Sequence, residues 1–279
     1  MNGRRAIVGL CMLCALLVSA FAAQSASAIT GTTAFTCVKG GGDKSLRGEH
    51  CLTTGTAEQN YGHVAITENE TTELTGTNAK TESETSTHSI ARLRVTIAGV
   101  PLELSATGVS GSGWMENKKD SGTGEHYTEG EGTITFTEVK VTKPEGRGCK
   151  ATTHKEDGSG VEEGTEGIVH TRSLRATTKG QGDFLKFTAA DNGNFANFWV
   201  TCEEGKKIPA IEGTWSVSGS VKGVPKGATT GFTHTETTTQ GTLIAKGNKA
   251  GIEGQLTLSG RAKGSTGAYT PLAATTITT

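Results

Sequence analysis

The chain has 279 residues, with 27 basic and 28 acidic side chains and a formal net charge of −1 at pH 7. This balance excludes the clustered basic surface by which proteins bind nucleic acids or anionic membranes. Forty glycines, many threonines and few leucines or methionines disfavour helices and suit β-strands.

Residues 1–28 have the organisation of a secretory signal peptide. Arg4 and Arg5 precede an uncharged apolar run over 6–23, and the segment ends with the small-residue sequence A-S-A. We therefore predict a signal-peptide helix, cleavage after Ala28 and a secreted, extracellular protein with no membrane association after cleavage. The apolar run is nearly long enough for a retained membrane anchor, but the A-S-A ending and the lack of basic residues after it favour cleavage. Removal of the two arginines leaves 25 basic and 28 acidic residues, a net charge of −3.

Beyond the signal, short runs in which apolar and polar residues alternate predict β-strands and no helix. In chain order these runs cover residues 34–38, 64–66, 92–97, 102–106, 132–141, 168–177, 184–189, 194–202, 215–221, 241–246 and 252–258. The strand from 102 continues through Ser- and Gly-rich residues towards Trp114. Residues 68–84, rich in Thr and Glu, are either an exposed strand or a loop.

The clearest of these patterns is the stretch 92–106, which predicts a strand, a turn at the Gly-Val-Pro of 99–101 and a second strand. The same three residues recur at 223–225 and predict another turn. In 132–141 the apolar residues change parity at Thr137-Glu138, and a β-bulge there would return them all to one face.

These elements predict one all-β domain over 29–279, most simply an antiparallel β-sandwich, with a closed β-barrel as the alternative. A subdivision of the domain would fall near 143–161, where the sequence becomes polar and Gly-rich.

Four cysteines lie beyond the predicted cleavage site: Cys37, Cys51, Cys149 and Cys202. An even number in an exported chain favours disulfide bonds, and of the three pairings we favour Cys37 with Cys51 and Cys149 with Cys202. A metal site that uses His50 beside Cys51 lacks the usual ligand spacing.

No motif predicts a catalytic residue, a cofactor or a metal ion. The seven histidines are scattered, and Gly108-Val109-Ser110-Gly111 does not complete the nucleophile motif of serine hydrolases. The acidic run 156–166 lacks the alternating ligand pattern of a calcium loop.

Trp114 is the one candidate ligand-binding residue. It follows Gly111-Ser112-Gly113, which predicts a loop or strand end where an exposed indole could stack on a sugar ring, although a buried tryptophan is the alternative. Trp199 and Trp215 are predicted to lie in the core, and apolar residues on both faces of 194–202 predict a central strand.

The exported N-terminus, the F-T-C of 35–37, the H-C of 50–51 and the later Thr/Gly-rich strands resemble uncharacterised secreted proteins of high-GC Gram-positive bacteria. This resemblance implies no activity. We expect a non-catalytic extracellular or cell-envelope binding or structural protein, with a glycan or another envelope component as its partner. The alternative is a secreted hydrolase that acts on a glycan or an ester.

Overall fold

The computed structural model describes residues 30–41, 44–48, 51, 58–78, 91–155, 159–182, 184–226, 229–234 and 241–278, and within them the regular structure is entirely β. The strands are β1 (Thr30–Lys39), β2 (Leu46–Arg47), β3 (Gln59–Ala65), β4 (Thr72–Asn78), β5 (Ala91–Ile97), β6 (Val100–Ala106), β7 (Gly108–Lys119), β8 (His126–Thr137), β9 (Lys140–Lys143), β10 (Lys150–His154), β11 (Val161–Glu166), β12 (Val169–His170), β13 (Leu174–Thr177), β14 (Leu185–Ala189), β15 (Ala196–Thr201), β16 (Gly213–Ser218), β17 (Ser220–Lys226), β18 (Thr229–His234), β19 (Ile244–Ala245), β20 (Asn248–Ala262) and β21 (Thr270–Thr278). The predicted signal peptide lies outside the described residues. A search of the described part of the chain found no helix with the length and apolar character to cross a membrane.

Eight antiparallel strands close into a barrel, which we call the first ring. Its strands follow the order β5, β6, β9, β10, β15, β16, β19 and β20, and β20 pairs back with β5. The all-β prediction is therefore confirmed, with the closed barrel in place of the expected sandwich. Closure satisfies the backbone groups that a sandwich leaves unpaired at the edges of its two sheets.

A second closed circuit of eight antiparallel strands, the second ring, shares β20 with the first. It follows the order β4, β7, β8, β13, β14, β17, β18 and β20, and β20 pairs back with β4. The chain passes repeatedly between the rings, for example at the junctions β6–β7, β8–β9, β14–β15 and β16–β17. Glu138 and Gly219, at two of these junctions, have φ angles of 53° and 101°. The predicted irregularity at Thr137-Glu138 is thus a passage between the two rings.

The core lies mainly in the first ring. Trp215 and Phe198 are stacked there, with ring centroids 5.7 Å apart, and the Trp215 indole N–H donates to the Ile211 carbonyl at 2.7 Å. Each of these three residues is at most 1 % exposed. The predicted core position of Trp215 is confirmed, as is the central position of β15, which pairs with β10 on one side and β16 on the other.

Both Gly-Val-Pro segments lie mostly or wholly in strands, so the turns predicted there are wrong in position. The first hairpin turns at Ala98 and Gly99, with φ angles of 47° and 81°, and Val100 already pairs with Ile97. Two consecutive positive φ values are typical of the two-residue turn that matches strand twist. The second segment, 223–225, lies inside β17.

Asn117 fixes the outer strand β1 to the second ring. Its side-chain amide donates to the carbonyls of Ala34 and Ile66 at 2.8 and 3.2 Å, and its carbonyl oxygen accepts from Ala34 N–H at 3.0 Å and Thr128 Oγ1 at 2.7 Å. The residue is 3 % exposed. Its side chain therefore satisfies backbone groups of two segments and the Thr128 hydroxyl of a third.

Both predicted disulfides are present, Cys37–Cys51 and Cys149–Cys202. The first joins β1 to the segment before β3 and packs beside Leu46. The second belongs to the main core and joins the segment before β10 to the residue after β15. Each bond closes a loop of neighbouring strands, and the pair indicates an oxidising setting such as the extracellular space.

Candidate functional site

Trp114 lies on the outer face of the second ring, inside β7 and not at a loop or strand end. Its neighbours along β7, Met115 and Asn117, are buried, whereas Trp114 is partly exposed because alternate residues of a strand point to opposite faces. The strand pairing places five residues side by side across five strands, which we call the Trp114 row: Arg261, Glu73, Trp114, Glu131 and Arg175.

The charges of the Trp114 row are held in defined positions. Arg261 donates from Nε to a Glu73 carboxylate oxygen at 3.0 Å, and this bond, with one from the Gly264 N–H, holds the pKa of Glu73 below its ordinary value. On the other side of the indole, Ser173 Oγ donates to Glu131 at 2.5 Å. Two carboxylates thus flank Trp114, and each has a partner that orients it.

A second aromatic ring stands at one end of the row. The Arg261 guanidinium carbon lies 4.5 Å from the centroid of the Tyr269 ring, and Tyr269 is 38 % exposed. The planar guanidinium stacked on this ring restricts both side chains. Tyr269 and Trp114 therefore lie on opposite sides of the Arg261–Glu73 ion pair.

The same face continues as two rows of hydroxyl side chains along β20, β4, β7 and β8. They are Thr257, Thr77, Ser110 and Thr135 in one row and Ser259, Thr75, Ser112 and Thr133 in the next. We call these eight residues the hydroxyl rows. Thr135 contacts His170 Nδ1 at 2.9 Å. Six of the eight, Thr75, Thr77, Ser110, Ser112, Thr133 and Ser259, make no side-chain hydrogen bond within the described residues, so their hydroxyls are available to a ligand.

Trp199 is not a core residue, so that prediction is wrong. It is 36 % exposed on the outer face of the first ring, and its indole stacks on His154 with centroids 6.0 Å apart. Its cross-strand neighbours are Thr152 and Thr214. The apolar residues of 194–202 suggested a strand buried on both faces. The Trp199 indole, however, is partly exposed to solvent and packs against His154.

Among the described histidines, His126 is close to a carboxylate: its Nδ1 lies 2.6 Å from Glu68 Oε1. Both side chains are partly exposed, at 23 % and 42 %. His154, by contrast, is buried and contacts the Lys155 carbonyl at 3.1 Å. Neither arrangement brings a Ser or Cys nucleophile to an imidazole that is itself oriented by a buried acid.

Among the described residues, no three His, Cys, Asp or Glu side chains converge as a metal site. His50 and residues 156–158 of the acidic run lie outside the described part of the chain. Residues 161–166 of that run form β11, whose side chains are mostly exposed.

Comparison of the chain with protein-family models, with curated proteins and with solved structures finds no match. The chemistry of the outer face is therefore the basis for a functional interpretation.

Proposed function

We propose that this is a secreted, non-catalytic extracellular or cell-envelope protein that binds a glycan through the Trp114 row. The observation that carries the proposal is the partly exposed Trp114 between two oriented carboxylates, beside the hydroxyl rows on the same face. The two disulfides and the signal-like N-terminus support a location outside the cell.

A sugar ring presents an apolar C–H face and a rim of hydroxyl groups. An indole matches the apolar face, and carboxylates and guanidinium groups accept from or donate to the hydroxyls. The Trp114 row offers these groups in one line across adjacent strands, which lie about 4.8 Å apart. Trp114 and the Arg261 end of the row, beside Tyr269, are therefore about 10 Å apart, a span of roughly two sugar rings.

The test is a glycan array, combined with retention on insoluble polysaccharides, on the disulfide-intact protein. Trp114→Ala removes the stacking group, and truncation of a central aromatic contact typically costs at least about 2 kcal/mol, or a roughly 30-fold loss of affinity. The matched control is Trp199→Ala, which removes an exposed indole from the first ring. We expect the first variant to lose retention and the second to keep it.

A panel of hydrolase substrates is run on the same samples. Turnover that disappears when a single His, Asp or Glu is replaced would establish the hydrolase alternative. Retention that is the same in Trp114→Ala and in the unmodified protein would exclude the Trp114 row as the glycan site.

A further inference from the structure

The interior contains a run of three cavities that crosses from one ring to the other. The cavity in the first ring has a volume of about 60 Å³, and Leu93, Leu104 and Phe198 are among the residues that line it. The cavity in the second ring has a volume of about 70 Å³, with Leu74 and Phe187 in its wall. A smaller one of about 20 Å³ lies between them.

The three cavities are neighbours, because they share lining residues. Ala91, Phe136, Phe195 and Ile252 line both the first-ring cavity and the middle one. Ile134 and Leu256 line both the middle cavity and the second-ring one. Adjacent cavities are therefore bounded by the same few residues.

The walls of these cavities are almost entirely apolar. A buried water needs two to four polar partners, and few groups here can supply them. The Thr171 hydroxyl, in the wall of the first cavity, already accepts from the Ile134 N–H at 2.8 Å. Arg92 is also a lining residue, but its side chain is 32 % exposed and its guanidinium is paired with Glu253 at 3.5 Å. An apolar occupant fits this lining better than water does.

We propose that the cavity run binds a narrow, unbranched aliphatic ligand. An apolar cavity of about 150 Å³ in another protein binds benzene or xenon, and the three cavities together reach that size. They differ from such a cavity in shape, because aromatic and branched side chains at Phe136, Ile252 and Leu256 divide the space. This form admits a single hydrocarbon chain and excludes a bulky or branched molecule. The interior of an eight-stranded barrel is wide enough for one small ligand.

The test compares n-hexane with its isomer 2,2-dimethylbutane, which has the same composition and a compact shape. Disulfide-intact protein is equilibrated with each vapour, and methyl ¹H–¹³C spectra and the thermal midpoint are recorded. We expect n-hexane to shift the methyl resonances of Leu93, Ile134 and Leu74 and to raise the midpoint, since a ligand that binds only the folded state stabilises it. The branched isomer should do neither.

Two variants localise the effect. Ala91→Leu fills the space between the first and middle cavities and should abolish the response to n-hexane. Leu256→Ala removes a dividing side chain and should strengthen n-hexane binding several-fold, so it decides the matter if the first variant does not fold. Absence of a response to n-hexane in both the unmodified protein and Leu256→Ala, or equal responses to the two isomers, overturns the proposal. Arg261→Ala, which alters the Trp114 row and lines none of the three cavities, should respond as the unmodified protein does, which separates this site from the glycan site.

Discussion

Asn117 lies inside β7 and is 3 % exposed, although asparagine is usually a surface or turn residue. Nothing in its local sequence distinguishes it from a surface asparagine, because its partners Ala34 and Ile66 are 83 and 51 residues away. The residue that docks β1 on the second ring therefore could not be identified from the chain alone.

Asn117→Ala should lower the free energy of unfolding by about 3 kcal/mol, because it leaves buried backbone and hydroxyl groups without partners. Urea unfolding followed by circular dichroism measures the change. Asn197→Ala is the control, since Asn197 is only partly buried and its side-chain oxygen accepts one hydrogen bond within the described part of the chain, from Asn194 at 3.0 Å. A loss for Asn117→Ala no greater than that of the control would contradict the docking role.

Asp120 closes the turn between β7 and β8. Its carboxylate accepts from Lys179 Nζ and from the N–H groups of Thr123 and Gly122 at 2.8 and 2.9 Å. These bonds hold its pKa well below the ordinary value of 3.8. A depressed pKa means that the ionised form is favoured by folding, so this stabilisation is present above pH 3.8 and disappears as the pH falls towards the folded-state pKa.

Asp120→Asn should therefore lower the thermal midpoint at pH 6, and the difference from the unmodified protein should shrink below about pH 3.8. Thermal unfolding over a series of pH values gives the comparison directly, and the asparagine can still accept from the turn's N–H groups. A difference that stays constant down to pH 2 would show that the charge of Asp120 does not contribute.

At the scale of elements, the alternation of apolar residues located most strands correctly. It also indicated the pairing of β5 with β6 and the irregularity at Glu138. The turns were predicted less well. The residue types of Gly-Val-Pro suggested a turn at 99–101, whereas the chain reverses at Ala98 and Gly99, which have positive φ angles. The single strand predicted over 168–177 is in fact two strands, β12 and β13, with a break between them.

The two disulfides should differ in their contribution to stability. Cys37 and Cys51 are 14 residues apart, and Cys149 and Cys202 are 53 apart. In the chain-entropy model these loops correspond to about 3 and about 4 kcal/mol. Unfolding of the two double Cys→Ala variants in urea should therefore show the larger loss for the second pair, and the reverse order would indicate that native packing, not loop closure, decides the effect.

At the scale of the whole molecule, the closure of the strands into rings could not be predicted from the sequence. Strand patterns suited a sandwich and a barrel equally, because they define a buried face but not the strand that completes a sheet. The closing pairs are distant: Arg261 contacts Glu73 across 188 residues. The candidate site is likewise formed by residues that are distant in the sequence. Trp114 could be identified from the sequence, but Arg261, Glu131 and Arg175 come beside it only through strand pairing.

Because β20 belongs to both rings and the chain passes repeatedly between them, we expect the rings to unfold in one transition. Trp114 reports on the second ring, and Trp199 and Trp215 report on the first. Fluorescence of Trp114→Phe, which follows the first ring alone, should have the same urea midpoint as the circular dichroism of the whole protein. Two separated midpoints would show that each ring is an independent unit.

The position of β20 also governs the order in which the chain can become compact during synthesis. Both circuits need residues 248–262 for their last pairing, whereas their first members, β4 and β5, begin at residues 72 and 91. Until the ribosome has added β20, each nascent sheet has open edges and no closed interior. Neither ring can therefore close until most of the chain has been translated.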